Sequence, residues 1–254
     1  MRIQVIVPTR GRPESATEVC QTFVDTVEDL DNTELLFVID DDDPRADDYH
    51  SATKGFSETI HLKFGPRMRM GPTLNRAAVE ASSEYAIVGF IGDDHRFRTK
   101  GWDNVVRDAV RRTEGSGIVY GDDLLQGINL PTAVFVTSDI IAILGYIAPP
   151  ELIHMYLDNF WKDFGVEIDR LSYMQDVVIE HMHPAAGKAE WSEQYVELNS
   201  DSSMERDRVA YEKYKATRFN WDVMKYFVVV AALQSINEAR KQEQEALGNG
   251  VETV

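Results

Sequence analysis

Apolar positions along this chain fall into short continuous runs that alternate with stretches of helical spacing. Ile3, Val5, Ile6 and Val7 form the first run, which predicts a buried strand ending at Pro8. Ala16, Val19, Cys20, Phe23, Val24 and Val27 then recur at i, i+3, i+4, i+7, i+8 and i+11, the apolar face of an amphipathic helix. Residues 35–39 are a second buried run, stopped by the acidic segment Asp40 to Asp43, and residues 60–64 predict a third strand. Leu74, Ala77, Ala78 and Ala81 repeat the helical spacing, and the strand-like run 85–91 ends in Gly92-Asp93-Asp94-His95. Trp102, Val105, Val106, Ala109 and Val110 mark another helix, followed by a short strand at 117–120 and a second acidic end, Gly121-Asp122-Asp123. Beyond Pro131 the spacing predicts a strand at 133–137, a helix at 138–144 and a break at Pro149-Pro150. A helix over 151–164, a strand over 177–183, a long helix from Trp221 to about Ala246 and a frayed tail from Gly248 complete the reading.

Strands alternating with helices predict an α/β fold, a mostly parallel Rossmann-like sheet flanked by helices. The division expected is a domain over 1–190, with halves 1–125 and 126–190, and a helical C-terminal extension over 191–254. In open sheets of this kind ligands sit at the carboxyl ends of the strands. Those ends carry Pro8-Thr9-Arg10, Asp40 to Asp43, Asp93-Asp94-His95 and Asp122-Asp123.

Composition narrows the function. The chain has 254 residues and a formal net charge of −17, which argues against a broad nucleic-acid grip built on Lys and Arg. Residues 28–48 hold ten carboxylates against the single Arg45, and Asp41 to Asp48 read as solvated surface. A single cysteine, Cys20, excludes an internal disulfide and fits a reducing, cytoplasmic compartment. No apolar run approaches the ~20 residues of a membrane span, and the opening strand is too short for a signal peptide.

Gly92-Asp93-Asp94-His95 follows a buried strand, where carboxylates and an imidazole can hold a divalent cation; a plain turn is the alternative. Remote imidazoles come from Glu180-His181-Met182-His183, where strand alternation points His181 and His183 to one face. His183 is the one expected to bind metal. An open Mg²⁺ or Mn²⁺ site usually shares a substrate phosphate. Thr9, Arg10 and Arg12 lie where they can touch a nucleotide, or simply connect strand to helix. Arg67, Arg69, Arg96, Arg98 and Lys100 are expected on loops near the same site. Trp102, at helical spacing, is expected in the core.

The order and spacing of four motifs resemble the N-terminal half of GT-A glycosyltransferases similar to family 2. They are residues 6–13 (Ile-Val-Pro-Thr-Arg-Gly-Arg-Pro), 38–42 (Val-Ile-Asp-Asp-Asp), 74–78 (Leu-Asn-Arg-Ala-Ala) and 90–94 (Phe-Ile-Gly-Asp-Asp). With residues 120–123, 158–161 and the His-Met-His-Pro end, the pattern over about 1–190 looks like small glycosyltransferase-like proteins of bacteriophages. The resemblance implies a nucleotide-diphospho-sugar donor, UDP-sugar favoured, and Mn²⁺ or Mg²⁺. It places Pro8, Thr9, Arg10 and Arg12 at the nucleoside, Asp40 at base or ribose, and Arg69, Asn75 and Asp93 near the nucleotide or diphosphate. Asp93-Asp94-His95 takes the place of the family's Asp-x-Asp metal motif, either with His95 where that motif ends in Asp or with Gly92 first and Asp94 last; both registers put Asp94 near the metal, and His95 is a further ligand candidate. Asp158 matches the base of an inverting transfer, Trp161 offers a surface for sugar, and Asp122 and Asp123 are further sugar or acceptor contacts. The acceptor implied is a hydroxyl of a virion protein, a modified DNA base or a glycan, met in the host cytoplasm. A nucleotidyltransferase of the same architecture is the rival enzyme, but residues 8–12 are poor in the glycine its phosphate loop needs. A non-catalytic nucleotide-sugar-binding protein is the other alternative.

Overall fold

The first strand, β1 (Ile3–Thr9), sends Ile3, Val5 and Val7 to one face of a sheet and Ile6 to the other, and all four are buried. A strand covered on both faces needs helices on both sides, and the chain supplies them in alternation. The structure is a computed structural model and describes residues 1–188 and 200–249. After β1 come α1 (Pro13–Thr26), β2 (Thr33–Asp40), α2 (Asp48–Thr53), β3 (Ile60–Gly65), α3 (Met70–Ala81) and β4 (Ile87–Phe90). Then follow β5 (His95–Phe97), α4 (Trp102–Arg112), β6 (Ile118–Asp122), β7 (Val134–Thr137), α5 (Ser138–Leu144), α6 (Leu157–Glu167) and β8 (Leu171–His181). Two helices, α7 (Asp201–Thr217) and α8 (Phe219–Asn249), end the described chain.

The strands form one eight-stranded sheet in the order β3-β2-β1-β4-β7-β6-β8-β5. β1 pairs parallel to both β2 and β4, and β6 parallel to β8, whereas β7 and β5 run against their neighbours. The chain moves outward from β1 through β2 to β3 and then returns to the other side at β4. That reversal opens a crevice above the carboxyl ends of β1 and β4, where ligands bind in sheets of this type. Helices α1 and α4 cover one face with Phe23, Phe97, Trp102 and Phe135 beneath them. On the other face α3, α5 and α6 pack with Tyr211, Tyr214, Phe219, Val223 and Tyr226, so α7 and α8 share that core.

Four departures from the sequence pattern matter for the site. β5 is a three-residue strand where a loop was expected, and it pairs His95 with His181. β8 begins at Leu171 rather than 177 and ends at His181, with a register shift opposite Gly121. The helix expected from 151 starts at Leu157, because Tyr156 adopts a left-handed φ of 67°. Helix α7 has too weak an apolar periodicity to be read from sequence. Of the tail expected from Gly248, residues 248–249 are still in α8; the rest of it, and the expected boundary at 190/191, lie outside the described residues.

Candidate active site

The crevice is a cavity of about 460 Å³, large enough for a nucleotide-sized ligand. Pro8, Thr9, Arg10, Arg12, Asp40, Arg69, Asp93, Asp94, His95, Asp158, Trp161 and His183 all line it. Asn75, Asp122 and Asp123 do not. The Asn75 amide donates to the Ala148 carbonyl and accepts from the N–H groups of Ile147 and Ala148, so it ties α3 to the chain after α5. Asp122 accepts the N–H of Leu124. Trp161 is 1% exposed, donates its indole N–H to the Ile147 carbonyl and packs on Phe90 at 5.3 Å, so it is cavity floor rather than an open stacking face.

The turn after β1 is organised by carboxylates. Asp93 is buried, accepts from the Thr9 hydroxyl at 2.8 Å and from Arg12 at 3.0 Å, and burial pushes its carboxyl up. Arg10 bonds Asp40 at 3.1 Å and Asp42. Asp40 is raised by burial despite Arg10, and Arg67 stands 3.9 Å from it. Tyr49 accepts the Arg12 N–H and touches the Thr9 hydroxyl; burial pushes its phenol up to about 12. Asp43, expected on solvated surface, is buried and accepts the N–H groups of Gly11 and Arg45, which fixes this loop against the next. Of the expected loop cations, Arg67 and Arg69 line the cavity. Arg96 instead sits buried in β5, bonded to Glu18 and to the carbonyls of Asp93 and His95, while Arg98 pairs with Glu180 on the sheet edge.

At the tip of β4 a second group converges. Asp94, His95 and His181 place one potential ligand atom each within 4.8 Å of the others. The imidazole of His95 lies 3.1 Å from Asp94 and stacks on His181 at 4.2 Å, while His181 Nε2 is 3.3 Å from Asp94. Strand pairing is the cause: β5 and β8 set His95 opposite His181. His183, two residues past the end of β8, lines the same cavity with its ring 5.1 Å from that of His181 but stands outside this tight group. Gly92 belongs here for steric reasons, since a Cβ would run into Asp94 and His95.

The charges in this group are shared. Although burial opposes it, His181 and His95 hold Asp94 well below the usual carboxylate range. Burial and the nearby His181 push His95 down. For His181 burial also favours the neutral ring, but Asp123 and Asp94 on either side outweigh it and raise the imidazole to about 9. Asp123 is itself fixed: it accepts the N–H groups of Leu125, Gln126 and Gly127 and the Thr132 hydroxyl, and those donors together with His181 hold it low against burial. His181 Nδ1 is 3.8 Å from Asp123, beyond hydrogen-bond length, and both it and His95 Nε2 are buried without a hydrogen-bond partner. The nitrogens that face Asp94 are the other two, His95 Nδ1 and His181 Nε2, and with the Asp94 carboxylate they make an N,N,O donor set that fits a divalent metal once His181 gives up its proton.

Opposite this group, Asp158 stands in the first turn of α6, accepts the Asn159 N–H at 2.9 Å, and is raised by burial. A carboxylate so raised holds a proton more tightly than a surface one and is a better base. Sequence reasoning missed His154, Met155 and Tyr156, which also line the cavity, because the segment reads as the first turn of a helix.

No family model matches the chain, and no curated protein does. Solved structures do match. S. aureus TarS 1-349 in complex with UDP-GlcNAc superposes with a TM-score of 0.56 at 17% identity, covering 84% of this chain and 71% of that one. The mannosyltransferase PcManGT from Pyrobaculum calidifontis, in complex with GDP-Man and Mn²⁺, gives 0.53 at 15% identity over 97% of this chain and 80% of that one. At such identities the likeness is one of fold: the chain has the GT-A architecture of these glycosyltransferases. Among the described residues no helix is long and apolar enough to cross a membrane.

Proposed function

We propose that this chain is a metal-dependent glycosyltransferase that moves a sugar from a nucleotide-diphospho-sugar, a UDP-sugar by preference, to an acceptor hydroxyl with inversion. The observation that carries the reading is the convergence, in one cavity at the strand ends, of the Asp94, His95 and His181 group, four cavity-lining arginines and the raised carboxyl of Asp158. The solved glycosyltransferases of like fold bind nucleotide sugars, which supports it.

In this reading Asp94, His95 and His181 hold Mn²⁺ or Mg²⁺, which when bound neutralises charge on the departing diphosphate. Arg67 and Arg69 add positive charge to the cavity lining. Thr9 and Arg12 act through Asp93, keeping its carboxylate turned back into the β1 turn. Asp158 takes the proton of the acceptor hydroxyl as its oxygen bonds to the sugar's anomeric carbon. The bond from that carbon to the diphosphate oxygen breaks, and the nucleoside diphosphate leaves with the electron pair. The test is UDP or GDP release from a panel of nucleotide sugars. Release that stops with chelator and in Asp94→Ala supports the reading, and no release from any donor with folded protein refutes it.

A further inference from the structure

The cavity wall 154–158 and the residue before it, Ile153, are held from both sides, by α3 and by α7. On one side the Gly71 N–H, at the start of α3, donates to the Ile153 carbonyl at 2.8 Å, and a Cβ at Gly71 would run into the Leu152 carbonyl oxygen. On the other side Asp207, on α7, is fully buried, and its carboxylate accepts the backbone N–H groups of Ile153 at 3.4 Å and of His154 and Met155 at 2.8 Å each. Arg206 Nε, 3.0 Å away, balances its charge. Hydrogen bonds from backbone N–H to an ionised carboxylate are of the stronger class, and at zero exposure water does not replace them. The clamped segment runs straight into Tyr156, at φ 67°, and then into the first turn of α6 with Asp158. A left-handed tyrosine is strained and persists only where its surroundings fix it.

We infer that Asp207 is a positioning residue: from the C-terminal helices it fixes the wall that carries His154 and Tyr156 and sets where Asp158 meets the acceptor. The role in turnover rests on the glycosyl-transfer reading above; the hold on the wall does not. The C-terminal helices are thereby part of the active architecture. Removing the clamp lets the wall drift while the arginines of the β1 turn and the Asp94 group, held by other elements, stay in place.

The experiment compares Asp207→Ala and Asp207→Asn with the parent chain in three readouts: amide hydrogen exchange, calorimetric binding of UDP with Mn²⁺, and nucleotide release from the donor the parent uses. In Asp207→Ala the amides of 153–157 are expected to exchange roughly tenfold faster or more, with β1 and β4 unchanged. Turnover is expected to fall on the order of 100-fold while UDP affinity shifts less than about threefold, since misplacing a reacting group by about 1 Å has that effect on rate. Asp207→Asn keeps one acceptor oxygen and is expected to recover part of both losses. Unchanged exchange at 153–157, uniform acceleration along the whole chain, or UDP affinity falling in step with turnover would overturn the inference. A parent that neither binds UDP nor turns over any donor refutes the glycosyl-transfer reading instead, and the exchange pattern still decides whether Asp207 holds the wall.

Discussion

In chelator, His181 should act as a measurable pH switch of stability. Its ring lies between Asp94 at 3.3 Å and Asp123 at 3.8 Å with the side chain 15% exposed, and its pKa is raised from the ordinary 6.5 to about 9. A histidine favoured as a cation in the folded state contributes stability that is fully present below the unfolded value and lost as pH rises through the folded one. At about 1.4 kcal/mol per tenfold change in proton affinity, a move from 6.5 to about 9 amounts to about 3 kcal/mol. For a chain of this size that is a difference of roughly 6–12 °C in Tm. The assay is thermal or denaturant unfolding in chelator from about pH 6 to about pH 10, run on the parent and on His181→Asn. The variant also releases His95, which His181 pushes down, so the part of the parent-minus-variant difference that belongs to the His181 ring is its fall between about pH 7 and about pH 9. That difference should be largest near pH 6 and shrink by about 3 kcal/mol above pH 9. A difference that is flat across the range, or that grows with pH, would refute the two-carboxylate cradle.

Asp158→Asn should bind UDP with Mn²⁺ as the parent does and lose about 10²- to 10⁴-fold in transfer, read as nucleotide release in the presence of acceptor. Transfer at the parent rate removes Asp158 as base. Gly71→Ala should destabilise the protein by about 1–3 kcal/mol in urea unfolding, because its methyl group meets the Leu152 carbonyl with no room to yield. Asp123→Ala should lower the pKa of His181, followed by NMR titration of the ring in chelator, and free the amides of 125–127 to exchange; an unmoved pKa would mean that Asp94 alone sets it.

The strands and helices of the first half were legible because each is buried on a full face, so its periodicity is its burial pattern. Ile3 to Val7, the 35–39 run and the helix from Ala16 all fall where the spacing puts them. The lining residues Thr9, Arg10, Asp40, Asp93 and Asp94 were legible because a parallel sheet delivers its strand ends to one place, whereas Asp158, in the first turn of α6, was legible only through the family resemblance. Asn75 was not, because a backbone-binding amide and a ligand-binding amide look alike in sequence. The pairing of His95 with His181 depends on β5, three residues long and too short to carry a period. Asp207 was invisible for a different reason: its partners are main-chain N–H groups, and those have no sequence signature at all.

The central claim is that the Asp94 group and the arginines of this crevice form one metal-dependent nucleotide-sugar site. Calorimetric titration of the parent and of Asp94→Ala with a panel of UDP- and GDP-sugars, in Mn²⁺ and then in chelator, tests it most directly. Saturable binding by the parent that is lost both in chelator and in the folded Asp94→Ala variant is the result predicted. Binding that is indifferent to metal and to Asp94, or no binding of any donor by folded parent protein, would contradict it.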